Sequence, residues 1–377
     1  MNCKKRMNVK SIAVLCLFVF ISSAGILWSS VAEASTDKQE YRYWREVGVR
    51  AANRSMWMMR KTGIWPFPGS CIALTNAGYA EINDRDTAGA LDGITTVLSV
   101  GRGDHTLVEV HSSPTSDLWF AVYHQKTGRL AYLQINPDAI GSGDAMNGMD
   151  EANLFSIKTM ERVNAAHIYE NATEYAEKFS NKIFGGNEFR IVTIVNAIAE
   201  GAPSAAVRSF EYHDHYCPGV TSGILMALFV ESYFPVAPGG KYFVQSVQAW
   251  CKEDALMTIL NATPGKKGYH VSYPTEEDMA TWQDGIKNAS TIVYRLNPET
   301  GVWEGIILGY QGGDTGCPGY GNSLIDKLCA DLWYLKRLDH PEEFVQVIHE
   351  FELAPGEDPK DFARPGADPM KMLGLTN

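Results

Sequence analysis

Residues 213–219 read His-Asp-His-Tyr-Cys-Pro-Gly and bring two imidazoles and one thiol together within five positions. Imidazole and thiolate are the donors that zinc and neighbouring transition ions prefer. Alternate residues of an extended segment point to the same side, so His213 and His215 can share a face. The segment therefore predicts either a transition-metal site or a reactive cysteine.

A helix is predicted directly after this segment. Pro218 suits its first turn, where the missing N–H is not needed. Cys217 would then precede the helix, whose free N–H groups and dipole stabilise a thiolate. The apolar residues recur at helical spacing and predict one apolar stripe, made of Val220, Ile224, Leu225, Leu228 and Phe229.

Tetrahedral zinc takes four donors, or three and a water molecule. Cys251 is the best fourth donor, because it ends a strand-like run and precedes a helix whose N-terminus its thiol would face. Asp254 could hydrogen-bond to one of the histidines and orient its ring toward the metal. Alternatively, Asp254 could cap the helix that follows Cys251. A disulfide between Cys217 and Cys251 would compete with metal binding.

The composition is that of an ordinary globular protein. The chain has 377 residues, of which 45% are hydrophobic and 20% charged, and this suggests two or so domains. Its formal net charge of -11 makes nucleic acid and an anionic membrane surface poor partners. The expected partner is instead a metal ion or a small metal-containing ligand.

Residues 1–34 have the pattern of a signal peptide. Basic residues at 4–6 precede an apolar run over 12–27, and Ala-Glu-Ala at 32–34 supplies the small residues of a cleavage site. We therefore predict an exported protein, periplasmic or extracellular, whose mature chain begins at Ser35. The alternative is an uncleaved anchor, which would be the chain's one contact with the membrane.

Export would place the chain where disulfides persist. Two of the seven cysteines lie in the predicted signal peptide, which leaves five, an odd number, in the mature chain. Cys317 and Cys329, twelve residues apart, are a candidate disulfide pair.

The order of predicted elements occurs twice, which indicates an internal duplication. A helix over 40–61 and a second apolar helix from Ile72 precede strands over 107–111, 118–124 and 130–135. In the second half, the helix after Cys217 precedes a strand over 242–250, a helix over 254–261, and strands over 291–296 and 302–308. This alignment pairs Cys71 with Cys217 and Gly89 with Cys251.

We interpret the chain as α+β, with helices packed on an antiparallel sheet in each copy. The predicted division is a degenerate repeat (35–148), a helical connector (149–194), a repeat that carries the His/Cys site (195–353) and an extended tail (354–377). Only the second copy has His-x-His before its cysteine, so we expect one site.

The motif at 213–219, with Cys-Lys-Glu-Asp-Ala at 251–255 and Thr-Pro-Gly-Lys at 263–266, resembles the FmdE family of formylmethanofuran dehydrogenase proteins. The resemblance spans about residues 195–310, with a degenerate echo over 47–137. The resemblance implies an α+β fold with a metal held near the His/Cys motif. Members of the family often form dimers, and two repeats would form such a pair within one chain. The sequence departs from the family pattern at Asp214 (usually Gly), Val247 (usually Glu) and Ala262 (usually a third Cys).

The leading hypothesis is an exported, zinc-type metal-binding protein without a defined reaction. Its ligands would be His213, His215, Cys217 and Cys251, with nickel or iron as alternatives to zinc. A metal-dependent or thiol-based periplasmic enzyme is the second hypothesis, and a module that binds a tetrapyrrole or similar metal complex is the third. The chain contains no G-x-S-x-G, P-loop, C-x-x-C or H-E-x-x-H motif, and this favours binding over catalysis.

Overall fold

The computed structural model describes residues 38–141 and 152–377. The predicted signal peptide and the proposed mature start at Ser35 lie outside the described residues. Within the two described ranges, every helix is too short or too polar to span a bilayer.

The first half is a five-stranded sheet with helices on its faces. The elements are α1 (38–61), β1 (Cys71–Thr75), β2 (Glu81–Ile82), β3 (Arg85–Asp86), α2 (Gly89–Leu98), β4 (Leu107–Glu109), β5 (Trp119–His124), β6 (Arg129–Ile135) and β7 (Phe155–Arg162). The strand order of the sheet is β4-β1-β5-β6-β7, in which β1 and β4 are parallel and the other pairs antiparallel.

Four helices then lead into the second half: α3 (Ala165–Glu170), α4 (Ala172–Ser180), α5 (Glu188–Ala199) and α6 (Ser204–Tyr212). The elements of the second half are α7 (Pro218–Tyr233), β8 (Tyr242–Val247), α8 (Lys252–Ile259), β9 (Tyr269–Ser272), α9 (Glu276–Thr281), β10 (Ala289–Leu296), β11 (Trp303–Tyr310), α10 (Ser323–Leu335), β12 (Val345–Glu352), α11 (Pro359–Phe362) and α12 (Pro369–Met372). Its sheet has the order β12-β11-β10-β8-β9, with β8 and β9 parallel.

The two halves have the same strand order and the same parallel and antiparallel pairings, which confirms the predicted α+β fold in two similar units. Equivalent residues form one row across each sheet: Leu107, Ala73, Val122, Ala131 and Met160 in the first, and Tyr269, Val244, Val293, Ile306 and Glu350 in the second. Each sheet is mixed rather than purely antiparallel, because a helix, α2 or α8, connects the two parallel strands.

One hydrophobic core joins the halves. It contains one face of each sheet together with α5, α6, α7 and α10. Helix α7 lies at its centre and is buried on nearly all sides, from Gly219 to Val230. The prediction of a single apolar stripe was therefore wrong, because a helix enclosed by other elements buries its whole circumference.

The predicted helix from Ile72 is also wrong, since Cys71–Thr75 is strand β1 and all five residues are buried. Helices cover one face of β1 and the central core covers the other, so its apolar residues run continuously without alternation. A short run of this kind cannot be distinguished from a buried helix by periodicity.

Two further segments differ from their predicted secondary structure. The segment 149–194, predicted as a helical connector, contains strand β7, the edge of the first sheet. The predicted extended tail forms α11 and α12 and packs on the outer face of the second sheet. Met370 is fully buried there, and the Trp282 Nε1–H donates a hydrogen bond to Asp368 Oδ2 at 3.0 Å.

A disulfide joins Cys317, in the loop after β11, to Cys329 on α10. The other cysteines in the described ranges, Cys71, Cys217 and Cys251, carry free thiols. Closing a loop of this length removes chain entropy that corresponds to about 3 kcal/mol. Replacing both Cys317 and Cys329 by serine should therefore lower the free energy of unfolding by about that amount, measured by urea denaturation. Wild type treated with reductant should match the variant; a variant as stable as oxidised wild type would contradict the prediction.

Candidate metal centre

Four side chains converge where α6, α7 and α8 meet. His213 is the C-cap residue of α6, and His215 follows it in the short link to α7. Cys217 and Cys251 are the N-cap residues of α7 and α8. One donor atom from each of the four residues lies within 4.8 Å of the others, so together they could hold a metal ion.

Each histidine is oriented from behind by a carboxylate. His213 Nδ1 lies 2.6 Å from Asp254 Oδ2, and His215 Nδ1 lies 2.6 Å from Asp214 Oδ1. The Nε2 atoms therefore remain as the free donors. His213 Nε2 is buried and has no hydrogen-bond partner. A buried polar atom without a partner is costly, and a metal ion at this position would satisfy it.

Asp214 was missed as a functional residue by the sequence analysis. Its backbone adopts a left-handed φ of 70°, which glycine favours and aspartate tolerates. Its Oδ2 accepts a hydrogen bond from Arg190 at 2.8 Å, while Oδ1 faces His215. The departure from glycine at this position thus adds a carboxylate that orients a histidine. The one sequence signal for this role of Asp214 was that a left-handed position usually holds glycine. The contact with Arg190 gave no signal, because Arg190 is distant in sequence.

The two cysteines differ in their ionisation. Each lies at a helix N-terminus, where the dipole favours a thiolate. The Cys217 thiol and the two imidazoles nearby hold the pKa of Cys251 well below its usual range. The proximity of the Cys251 thiolate, together with burial, raises the pKa of Cys217. Without a metal, the pair therefore holds one thiol and one thiolate.

The pKa of each histidine is raised when the site has no metal, and that of His213 is raised far enough to keep this imidazole protonated at neutral pH. Burial by itself lowers the pKa of His213, but Asp254 and the Cys251 thiolate outweigh it and raise the pKa to about 9. Burial is likewise outweighed at His215, whose pKa is raised mainly by Asp214. A cation that bound at His213 would have to displace its proton.

The convergence of the cysteines depends on a close helix crossing. A Cβ atom added at Gly223 of α7 would lie 2.2 Å from the Lys252 carbonyl oxygen of α8. The first half has the same crossing, where a Cβ atom at Gly48 of α1 would lie 2.1 Å from the Ala90 carbonyl oxygen of α2. These two glycines, rather than the cysteines, identify equivalent positions in the two halves.

The equivalent place in the first half lacks the metal donors. Arg42 lies six residues before Gly48, as Cys217 does before Gly223, and Gly89 directly precedes Ala90 as Cys251 precedes Lys252. The predicted pairing of Gly89 with Cys251 therefore agrees with the structure. The pairing of Cys71 with Cys217 was wrong, because Cys71 lies on β1 at the position of Tyr242 on β8.

One polar contact is common to both halves. The Tyr41 hydroxyl donates to Asp92 Oδ2 at 2.6 Å on α2, at the place where His213 contacts Asp254 on α8. The carboxylate is thus present in both halves, but only the second half has an imidazole in front of it.

Two cysteines and two histidines are the donor set of a Cys2His2 metal centre, which these four side chains could form. The family described as "FmdE, Molybdenum formylmethanofuran dehydrogenase operon" matches residues 212–303, which contain all four donors and Asp254. This match supports the resemblance for the second half of the chain. Comparison with curated proteins finds no match.

The carboxylate behind His213 should control metal affinity. Asp254→Asn is expected to weaken zinc binding about 10- to 100-fold, because the neutral amide neither fixes the imidazole nor raises its basicity as the carboxylate does. The affinity would be measured by competition with a chromogenic chelator. Asp92→Asn is the matched control in the first half and should leave the affinity unchanged; equal losses in both variants would count against a direct role for Asp254.

Proposed function

We propose that this protein binds one transition-metal ion of the zinc type through His213, His215, Cys217 and Cys251. The observation that carries the proposal is the convergence of four suitable donors around a buried His213 Nε2 that has no other partner. Two thiolates and two imidazoles match the preference of zinc, with nickel and iron as the alternatives.

A binding role is favoured over hydrolysis by the number of donors. Four protein ligands complete a tetrahedral shell, whereas catalytic zinc sites have three and leave a position for water. The imidazoles are only 15% and 23% exposed, so they shield the ion from solvent. The ion would hold α6, α7 and α8 together rather than activate a substrate.

Export and duplication are further parts of the proposal. The signal-peptide pattern at 1–34 and the Cys317–Cys329 disulfide support an exported protein, because disulfides persist outside the cytosol. The common strand order of the two sheets supports an ancient duplication in which the first half has become a scaffold. The mature protein would then carry one site in two similar units.

The test is elemental analysis of the full chain, purified without chelator and without a nickel column. About one equivalent of zinc is expected, and replacing it with cobalt should give the visible bands of a tetrahedral thiolate site. His215→Ala should lose the ion. A protein without metal in which Cys217 and Cys251 are oxidised to a disulfide would overturn the proposal.

One observation favours a thiol-based enzyme as the second candidate. Cys251 is partly exposed and its pKa is lowered, which is the environment of a reactive thiolate. The two candidates differ in alkylation by iodoacetamide at neutral pH. A metal-bound Cys251 should be alkylated slowly until a chelator is added, whereas a nucleophilic Cys251 should be alkylated rapidly in the protein as isolated.

A further inference from the structure

The charge of this acidic chain is unevenly distributed. Residues 47–80 contain no aspartate or glutamate but four cations, Arg50, Arg54, Arg60 and Lys61, although the formal net charge of the whole chain is -11. The stretch covers most of α1 and the loop that leads to β1. One region of the surface is therefore basic within an acidic protein.

Three large aromatic side chains are exposed in the same region. Trp57 on α1 is 46% exposed, and Trp65 and Phe67 in the following loop are 73% and 66% exposed. Isolated apolar residues on a surface are common, but three aromatic rings among unopposed cations are not. We call this the basic aromatic patch, made of Arg54, Trp57, Arg60, Lys61, Trp65 and Phe67.

The cations of the patch contact aromatic rings instead of carboxylates. The Arg54 guanidinium lies 4.2 Å and the Lys61 ammonium 5.1 Å from the centre of the Trp57 ring. Arg60 lies 5.6 Å from the Trp65 ring. Among the described residues, no carboxylate forms an ion pair with Arg54, Arg60 or Lys61. Their charge is therefore available to an external anion.

The loop that carries the rings is structured. Ile64 is buried and its N–H donates to the Met59 carbonyl at 3.1 Å, which fixes the exit from α1. Phe67 opens a tight turn closed by Ser70, whose N–H donates to the Phe67 carbonyl at 3.0 Å, with Gly69 in the left-handed region. Trp65 and Phe67 are thus held outward by the backbone.

The hairpin next to this loop adds positive charge. The Gln125 N–H donates to the Ser70 carbonyl at 3.1 Å, which places the β5–β6 turn and its exposed Lys126 beside the loop. At the same end of the sheet, Arg129 and Arg162 lie directly opposite each other on β6 and β7. Like charges in this position repel each other, and a surface anion would relieve the repulsion.

We propose that the basic aromatic patch docks onto an anionic lipid bilayer surface. Lys and Arg near a membrane are attracted by anionic headgroups, and Trp is the side chain most typical of the bilayer interface. The acidic remainder of the surface would be repelled, so docking would fix one orientation of the protein. The proposal differs from the expectation that net charge excludes an anionic membrane, because it makes the local distribution of charge decide the contact.

Hydrogen–deuterium exchange of the full chain with vesicles tests this orientation. Amides over 57–70 should be protected by vesicles of phosphatidylglycerol and phosphatidylcholine, but not by phosphatidylcholine alone, while amides over 263–268 should not change. The readout is local, so it does not depend on whether the N-terminal apolar segment also holds the chain on the vesicle. Higher salt should reduce the protection.

Two sets of variants make the test decisive. Arg60→Glu with Lys61→Glu should weaken vesicle binding through the patch by at least about tenfold. Lys266→Glu with Lys267→Glu is the matched control, with the same charge change in an exposed turn of the second half, and should retain the protection. The variant Trp65→Ser with Phe67→Ser should also lose the protection of amides 57–70. If only the Arg60→Glu, Lys61→Glu variant loses this protection, the patch recognises any polyanion and the bilayer proposal fails. Vesicle-bound protein without protection over 57–70, or no binding at all, would overturn it as well.

Discussion

Cys217→Ser is expected to release the metal and to lower the free energy of unfolding by at least about 4 kcal/mol, a loss that is exceptional for one substitution. Structural zinc in small domains contributes about 10–16 kcal/mol. Here the effect should be smaller, because the large core shared by both halves stabilises the fold as well. The variant would leave the Cys251 thiolate without its partner and His213 Nε2 without a ligand.

The measurement is denaturation by urea, followed together with the metal content at each step. Cys71→Ser is the matched control, because Cys71 is also a buried free thiol but lies on β1, away from the centre. That variant should keep its metal and lose about 1 kcal/mol, a typical value for a core substitution. Wild type stripped by a chelator should be about as stable as Cys217→Ser. If the two serine variants lose the same stability and both retain metal, the proposed role of Cys217 fails.

The donors of the site could be predicted from the sequence because their signals are local. Cys217 and Cys251 each lie where a helix begins, and a helix start can be recognised from Pro218 and from the change of pattern after Cys251. The structure adds the close contact between α7 and α8, which no local sequence pattern contains. The approach of α7 to α8 depends on Gly223 and on an atom of Lys252, which are 29 residues apart in the chain.

The two similar halves were recognised from the sequence, but the first pair of aligned residues, Cys71 and Cys217, was wrong. Proline and glycine precede Cys71 and follow Cys217, and this similarity of composition led to the wrong pairing. The structural equivalents, Gly48 and Gly223, have no distinctive neighbours. They are equivalent because both allow two helix backbones to touch, a property of tertiary packing rather than of local sequence.

The first half shows that the same helix crossing can be packed without the four candidate donors. In the first half, Gly89 occupies the position of Cys251, and Trp44 packs against it with its Cβ atom 3.2 Å from the place of the missing Cβ of Gly89. Trp44 itself is fully buried. Backbone atoms of α1 and the Cβ atom of Trp44 thus take the space that a side chain at Gly89 would need, so the first half packs its two helices together where the second half has a cysteine.

Metal binding should be strongly dependent on pH. Imidazole and thiolate bind metal only in their unprotonated forms. In the metal-free protein, His213 has a pKa raised to about 9 and Cys217 has a raised pKa as well, so both carry a proton at pH 7. Binding at pH 7 is therefore expected to release about two protons, and the apparent affinity should fall about 100-fold for each unit of decreasing pH.

The stability of the metal-free protein should change in the opposite direction. Because the pKa of His213 is raised from its ordinary 6.5 to about 9, its pairing with Asp254 contributes stability that is fully present below pH 6.5. This contribution is lost as the pH rises through 9. Low pH thus stabilises the empty site and high pH stabilises the loaded one, so acidification favours release of the ion.

Calorimetric titration with zinc in buffers of different ionisation enthalpy would count the released protons. Asp254→Asn removes the main group that raises the pKa of His213, so this variant should release about one proton fewer at pH 7 to 8. Asp92→Asn in the first half should release as many as wild type. If zinc binding releases no protons, or if Asp254→Asn does not change the number released, the predicted loss of a proton from His213 on binding is wrong.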